Sequence, residues 1–384
     1  MRREVTHKSS GMKRITTIIP PRIACLLFVM SCQAIGSDGK RDRLADRILI
    51  HLQNQNRGSI PSSISTDAKE VFSRLWMEAG HSLKVPAVDD TAGFRRMRDS
   101  LLLTKRESTE EAIERHEVTT AATTMGGTRV VDLRPKGWRE DGRMVILFHA
   151  GPHNPDDAFT AAAYGAPLAK ASGLRVILVD NTPSPVYNWK EIQRESMNVL
   201  LYLKHKGYRM DHMAVCGVGP GGGLAASVVL NMRNHGFGMP AAVLLWSPWA
   251  ELSENTDSRN SYSEWDPVTP RGQSLDHTIQ AYTAGLALSD ARVSPANGDF
   301  SKGFPPTLVQ EGTRSSMLSG SLMLYRALDS TGQSVTLDLY EGMFPCFQRF
   351  DLEEAERAVD KSASFLRDRL QAKRNPAIAQ KRAS

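Results

Sequence analysis

Residues 213–225 read Met-Ala-Val-Cys-Gly-Val-Gly-Pro-Gly-Gly-Gly-Leu-Ala. A short apolar run ends in a knot of glycines around Pro220, and a helical pattern follows over 222–234. Too short and too apolar for a surface helix, Met213-Ala-Val-Cys-Gly-Val218 reads as a buried strand, so the glycines form a strand-to-helix turn. The same alternation extends outward. Buried strands are expected at 144–148, 175–180, 241–246, 307–310 and 335–340, with helices at 157–171, 188–206, 317–330 and 351–372. Apolar strands alternating with helices of this length predict an α/β protein, with a mostly parallel central sheet covered by helices on both faces. Upstream, helices are expected at about 66–81 and 89–104, then strands at 116–124 and 128–133 split by Gly126-Gly127. Residues 249–300 read as polar and irregular.

Two motifs compete for the turn. As Gly217-x-Gly219-x-x-Gly222 it matches a phosphate-cradling dinucleotide fingerprint. As a tight turn between strand and helix it matches the G-x-S-x-G elbow, which lifts a nucleophile over a sheet. The first is weak here. Two strands precede the turn, and the next strand does not end in the acid that would hold a ribose, the nearest being Glu251.

Composition narrows the function classes. The 384 residues are 41% apolar and 23% charged, with 48 Lys+Arg against 42 Asp+Glu, a net of +6. Residues 1–31 hold six bases and one acid, a net of +5, so 32–384 carry only +1. No basic stripe interleaved with aromatics remains in the body, which argues against a nucleic-acid partner. The leader has an n-region from Met12-Lys13-Arg14, the apolar run Ile23–Met30, and Val29-Met30-Ser31-Cys32, which is similar to a bacterial lipoprotein box. An export signal at 1–31 is expected, with Cys32 the lipidation candidate or with simple cleavage near Ala34. The product would be a cell-envelope lipoprotein or a periplasmic or secreted protein, touching membrane only through that lipid. Residues 32–58 read as a linker, 59–372 as one domain, and 373–384 as a basic tail. Cysteines at 25, 32, 216 and 346 show no metal spacing, and no metal or cofactor is expected.

The flanking segments decide between the motifs. The chain resembles the bacterial hormone-sensitive-lipase-like carboxylesterases of the α/β-hydrolase superfamily. Leu147-Phe-His-Ala-Gly-Pro152 resembles their strand plus HGGG turn, and Asp180-Asn-Thr-Pro-Ser-Pro185 their D-Y-R-L-A-P turn. Residues 214–225 resemble the G-D-S-A-G-G elbow, and Ser247-Pro-Trp-Ala-Glu-Leu252 resembles S-P-W-x-D-L. Pro305–Gly312 and Tyr340-Glu-Gly-Met343 are similar to the strands that deliver the acid and the histidine, and Ile60–Asp67 to the entry of the N-terminal cap. The resemblance, over about 58–372, implies an α/β-hydrolase fold with cap helices within 59–110. It also implies a serine–histidine–acid triad for ester hydrolysis.

That triad is not intact. The serine position is Gly219, the histidine position Pro345, and the acid position Ser315, with Ser316 beside it. Gly219 has no side chain to acylate, Pro345 cannot take or give a proton, and neither Ser315 nor Ser316 carries a charge at neutral pH. The oxyanion-hole positions are Gly151, Pro152 and Pro220. Proline has no N–H, so only Gly151 keeps a donor. The expectation is a carboxylesterase-like protein that has lost serine-hydrolase catalysis and retains a pocket for a small apolar or ester-like ligand. The alternatives are an active esterase or lactone hydrolase using other residues, or a scaffold subunit; a homodimer fits either role. His149, His153 and Trp249 are pocket candidates, although His149 is more simply a packing residue behind its turn and Trp246 a core aromatic. Cys216 lies on the strand before the elbow and Cys346 just after the histidine position; the loops there approach one another in this fold, where the two either pair or stay buried as thiols. Gly219 has an equally plain explanation, as the one residue that a strained turn tolerates without cost.

Overall fold

A computed structural model describes residues 60–79, 85–149, 157–253, 256–261, 265–269 and 273–370. The export signal, the linker, Cys32, Gly151, Pro152, His153 and the basic tail lie outside the described residues.

The expected strands all form. They are β1 (Val118–Met125), β2 (Thr128–Pro135), β3 (Met144–Phe148), β4 (Arg175–Val179), β5 (Met213–Val218), β6 (Ala242–Trp246), β7 (Thr307–Gly312) and β8 (Val335–Tyr340). They make one eight-stranded sheet in the order β1-β2-β4-β3-β5-β6-β7-β8. The β1–β2 and β2–β4 pairs are antiparallel, and every pair from β4 to β8 is parallel. The helices are α1 (Thr66–Ala79), α2 (Thr91–Arg115), α3 (Ala162–Ser172), α4 (Trp189–His205), α5 (Pro220–Asn234), α6 (Asp257–Ser261), α7 (Gln273–Thr283), α8 (Leu318–Asp329) and α9 (Glu353–Arg369).

Alternation along the strands sorts the core into two layers. Met144, Ile146, Phe148, Val215, Val243, Leu245 and Val309 face α4, α5 and α8. Val145, Leu147, Ala214, Cys216, Leu244 and Trp246 face α3 and α9. A third cluster joins Ile64, Phe72 and Trp76 around α1 to Met343, Phe344 and Phe347 after β8 and to Leu352 and Ala355 at α9. The first cap helix is therefore anchored on the loop after the last strand.

Two expectations need correction. The segment 249–300 is not irregular: it holds α6, α7 and a short 3-10 turn at Pro295–Asn297. Leu275, Ile279 and Tyr282 recur at helical spacing and enter the core, but polar residues between them mask the period in the sequence. The second upstream helix does not stop at 104, because α2 runs to Arg115. Its last eleven residues are good helix formers with an Arg106–Glu110 pair one turn apart, although they present no apolar stripe.

One buried ion pair ties the antiparallel edge to the parallel sheet. Arg175 Nε and Nη2 donate to the two oxygens of Asp132 at 2.9 and 3.0 Å. Arg134 Nη2 donates to the same carboxylate at 2.7 Å. Arg175 Nη1 also reaches Glu140, which accepts from the Tyr208 hydroxyl at 3.1 Å. Both Asp132 and Arg175 are buried. Burial pushes the Arg175 pKa down, but Asp132, with Tyr208 and Glu140, outweighs it and holds it above the usual value.

Candidate functional site

The carboxyl ends of β5, β6, β7 and β8 stand side by side. The turns leaving them carry the positions singled out in the sequence. Between β5 and α5, Gly219 has φ 55° and ψ −124°. That left-handed φ, with ψ far from the left-handed helix, is a conformation in which glycine avoids the strain of a side chain. The Gly219 N–H donates to the Trp246 carbonyl at 2.8 Å. Its own carbonyl accepts from Gly222 at 2.8 Å and from Trp249 at 2.9 Å. Pro220 is the first residue of α5, where its missing N–H costs the helix nothing. The glycines that follow serve close packing. A Cβ on Gly221 would stand 2.2 Å from the His149 carbonyl oxygen and 2.4 Å from that of Phe148. Likewise a Cβ on Gly222 would stand 2.8 Å from Pro248 and one on Gly223 2.2 Å from the Trp249 carbonyl oxygen, so close packing accounts for all three glycines.

Ser247, just after β6, links the remaining turns. Its N–H donates to the Gln310 carbonyl at 2.8 Å, and its Oγ accepts from the Cys346 N–H at 3.0 Å. Both Ser247 (φ 46°) and Cys346 (φ 57°) hold left-handed backbone without being glycine. Cys346 directly follows Pro345. The turn after β7 meets the turn after β8 through Arg314 N–H to the Met343 carbonyl at 2.9 Å and Thr313 N–H to the Tyr340 carbonyl at 3.0 Å. Gly219, Ser315 and Pro345 thus sit on turns bonded to one another at one edge of the sheet.

The chemistry among these turns differs from the expected vacancy, because Glu311 lies there. It is the penultimate residue of β7 and fully buried. Its Oε2 accepts from the Ser321 hydroxyl at 2.7 Å and its Oε1 from the Gly312 N–H at 2.9 Å. Ser247 and Ser315 hydroxyls bond to it as well. Burial raises its pKa to about 7, against those four hydrogen bonds, which pull it down. A charge inside an apolar strand, Thr307-Leu-Val-Gln-Glu-Gly312, is the signal in the sequence that marks this residue. Asp266, also buried, accepts from the Ser316 hydroxyl at 2.6 Å and from the Thr269 hydroxyl at 2.7 Å.

The raised pKa makes stability depend on pH. Unfolded, a glutamate releases its proton near 4.5; folded, Glu311 keeps it to about 7. Its contribution is full below pH 4.5, falls as pH rises to about 7, and is level above that. The loss is about 3 kcal/mol at one pKa unit per 1.36 kcal/mol. Glu311→Gln is expected to remove this slope, read as the difference between wild-type and variant denaturation midpoints across pH 4.5–8. Parallel curves across that range would show that Glu311 does not titrate there.

Other candidates fall into place around this cluster. Cys216 and Cys346 are free, buried thiols rather than a disulfide. Burial pushes both thiols up, with Glu311 and Asp266 adding to the effect at Cys346, so neither is a ready nucleophile. His149 is buried at the end of β3. Trp249, expected to line a pocket, instead packs into the core on the α5 side, and its backbone pins the elbow. Trp246 is core, with its indole N–H donating to the Ser362 hydroxyl at 3.0 Å.

Comparison with known proteins agrees with this arrangement. A family model described as the alpha/beta hydrolase fold matches residues 145–349, over half of the chain. An acetyl-hydrolase of Streptomyces hygroscopicus is 25% identical over 231 residues, covering 60% of this chain and 77% of the relative. An esterase of Acinetobacter venetianus is 27% identical over 226 residues, covering 58% and 74%. Among solved structures, esterase E25 superposes with a TM-score of 0.72 at 22% identity, covering 81% of this chain and 95% of that one. An esterase from the bacterial hormone-sensitive lipase family gives a TM-score of 0.68 at 22% identity, covering 80% and 99%. With the family model matching over half of its length and the strand order in agreement, the chain belongs to the α/β-hydrolase family, and the relatives it is similar to are acetyl-hydrolases and esterases.

Proposed function

We propose that this chain has exchanged ester hydrolysis for ligand binding. One observation carries the proposal: the elbow keeps its left-handed turn, while Gly219 offers no nucleophile and Pro220 no oxyanion donor. The histidine- and acid-equivalent positions, Pro345 and Ser315, support the same conclusion. The neighbouring carboxyl, Glu311, is buried and engaged by serines, so it does not stand in for a solvent-facing base. The relatives that are acetyl-hydrolases and esterases suggest a small acyl or ester-like ligand, held near the turns after β5 to β8. The leader residues and Cys32 would place such a protein in the cell envelope.

The test is turnover of p-nitrophenyl acetate together with labelling by a fluorophosphonate probe. Turnover no higher than that of a heat-killed control, and no labelled serine, are expected. Loss of a triad serine lowers kcat about 10⁶-fold in a serine hydrolase, so the contrast with an active relative is large. A labelled serine whose replacement abolishes turnover would defeat the proposal.

A further inference from the structure

On the side of the sheet covered by α4 and α5, these two helices and residues 291–302 frame an open groove of about 680 Å³. It shares no residue with the triad positions or with the Glu311 cluster. α4 contributes two rows, each with four-residue spacing. Trp189, Gln193, Met197 and Leu201 form one, and Lys190, Arg194 and Asn198 form the other. Gln193 and Met197 are buried, Trp189 and Leu201 half-buried, and Lys190 and Arg194 exposed. Leu230 on α5 and the half-buried Phe237 beyond it extend the apolar lining. The Lys204 ammonium donates to the Phe237 carbonyl at 3.0 Å, which places Phe237 by the end of α4 far from Lys190. Gln193 Nε2 donates to the Arg292 carbonyl at 3.0 Å, and its Oε1 accepts from Asn231 at 3.3 Å. One satisfied amide therefore joins all three walls, and the groove is built into the fold.

Charge is uneven along this groove. Arg292 donates to Asp290 at 2.7 Å, and Lys302 pairs with Asp299, the one acid in the lining, at 3.4 Å. Arg233 donates to the Asn234 side chain and to the Gly303 carbonyl, both at 2.9 Å. The side chains of Lys190 and Arg194 have no hydrogen bond or ion pair among the described residues. The acids beside them on α4 are engaged elsewhere. Glu191 accepts from the Asn188 N–H at 3.1 Å, and Glu195 accepts from the N–H and hydroxyl of Thr182, both at 2.8 Å. Residues four apart on a helix have Cβ atoms about 5–6 Å apart, so one head group reaches both cations. Two cations without an acid favour an anion, and the half-buried apolar row beside them favours a hydrocarbon. A groove of this volume, apolar with a few polar groups, is the size that takes a small ligand. We propose that it binds a single-chain amphiphile with an anionic head. The head lies at Lys190 and Arg194, and the alkyl chain runs along Met197, Leu201, Leu230 and Phe237.

The experiment titrates the full chain with decanoate, butyrate, decyltrimethylammonium and inorganic phosphate by calorimetry, below micelle-forming concentrations, and follows tryptophan emission in parallel. Decanoate is expected to saturate a single site. Butyrate should bind about 100-fold or more weakly for want of the chain. Decyltrimethylammonium should bind about tenfold or more weakly because its charge is wrong. Phosphate should not displace decanoate. Lys190→Gln with Arg194→Gln is expected to erase the preference for decanoate over decyltrimethylammonium. Both side chains are exposed and unbonded, so this variant keeps the fold, as its denaturation midpoint would verify. Leu201→Gln should weaken both amphiphiles together, by about tenfold. Decanoate should alter the emission of the wild type and leave that of Trp189→Phe unchanged. No saturable decanoate binding, equal affinity for the two amphiphiles, displacement by phosphate, or a preference surviving in the double variant would each overturn the proposal. So would an emission change that persists in Trp189→Phe, because the ligand would then lie elsewhere. The silent triad is judged by the fluorophosphonate label alone, so either reading can fail without the other.

Discussion

Asp132→Ala is expected to destabilise the fold by about 3–5 kcal/mol, measured by chemical denaturation. The carboxylate is buried and receives both edge nitrogens of buried Arg175, along with Arg134 from its own strand. Removing it leaves the Arg175 guanidinium inside the sheet edge with the 3.5 Å contact to Glu140, a 3.4 Å bond to the neutral Tyr208 hydroxyl and the Trp138 ring at 5.9 Å. Desolvation of that orphaned charge is the main cost, rather than the loss of hydrogen bonds as such. The pairing of Asp132 with Ile177 across the β2–β4 ladder gives the chain little room to carry the charge outward. Replacing both partners by apolar residues, Asp132→Leu with Arg175→Met, removes the charge along with its partner and is expected to recover most of the loss. A cost below 1 kcal/mol for the single variant would mean that Arg175 swings to solvent when released.

This ion pair also marks where the sequence stops being informative. Strand positions were legible because apolar runs of five or six residues are distinctive, and β3, β5 and β8 begin and end where the composition changes. The elbow was legible from its glycines. Asp132 and Arg175 were not, because they lie 43 residues apart on two strands and only the antiparallel β2–β4 register brings them together. Glu311 was visible as a charge in an apolar strand, but its meaning depends on Ser247, Ser315 and Ser321 arriving from three other segments. Lys190 and Arg194 lie one turn apart on an expected helix, but the groove beside them takes α5 and the segment before β7 to build. Residue type and spacing gave the positions, Gly219, Ser315 and Pro345, at which the resemblance implies a triad. Only the packing of the turns reported which groups stand there instead.

Building a serine, a histidine and an acid into these turns tests the proposed loss of catalysis most severely. Gly219→Ser alone is expected to give no fluorophosphonate label and a rate on p-nitrophenyl acetate within tenfold of wild type. The new hydroxyl would have no base, and φ 55° with ψ −124° would impose strain on it. Adding Pro345→His and Ser315→Asp supplies base and acid on turns already bonded together through Ser247 and Arg314. The obstacle is Glu311, which bonds the Ser315 hydroxyl. An aspartate at 315 would place two carboxyls against each other, and one of them would stay protonated at the expense of the histidine it should orient. The set is therefore expected to acquire a label at position 219 only when Glu311→Gln is included. Adding Pro220→Ala then returns a backbone donor beside the nucleophile and should raise the rate about 100-fold or more. Equal rates with Glu311 present and absent would show that its carboxyl does not govern the acid position. Labelling at a residue other than 219 would show that the elbow is not where the nucleophile of this fold stood.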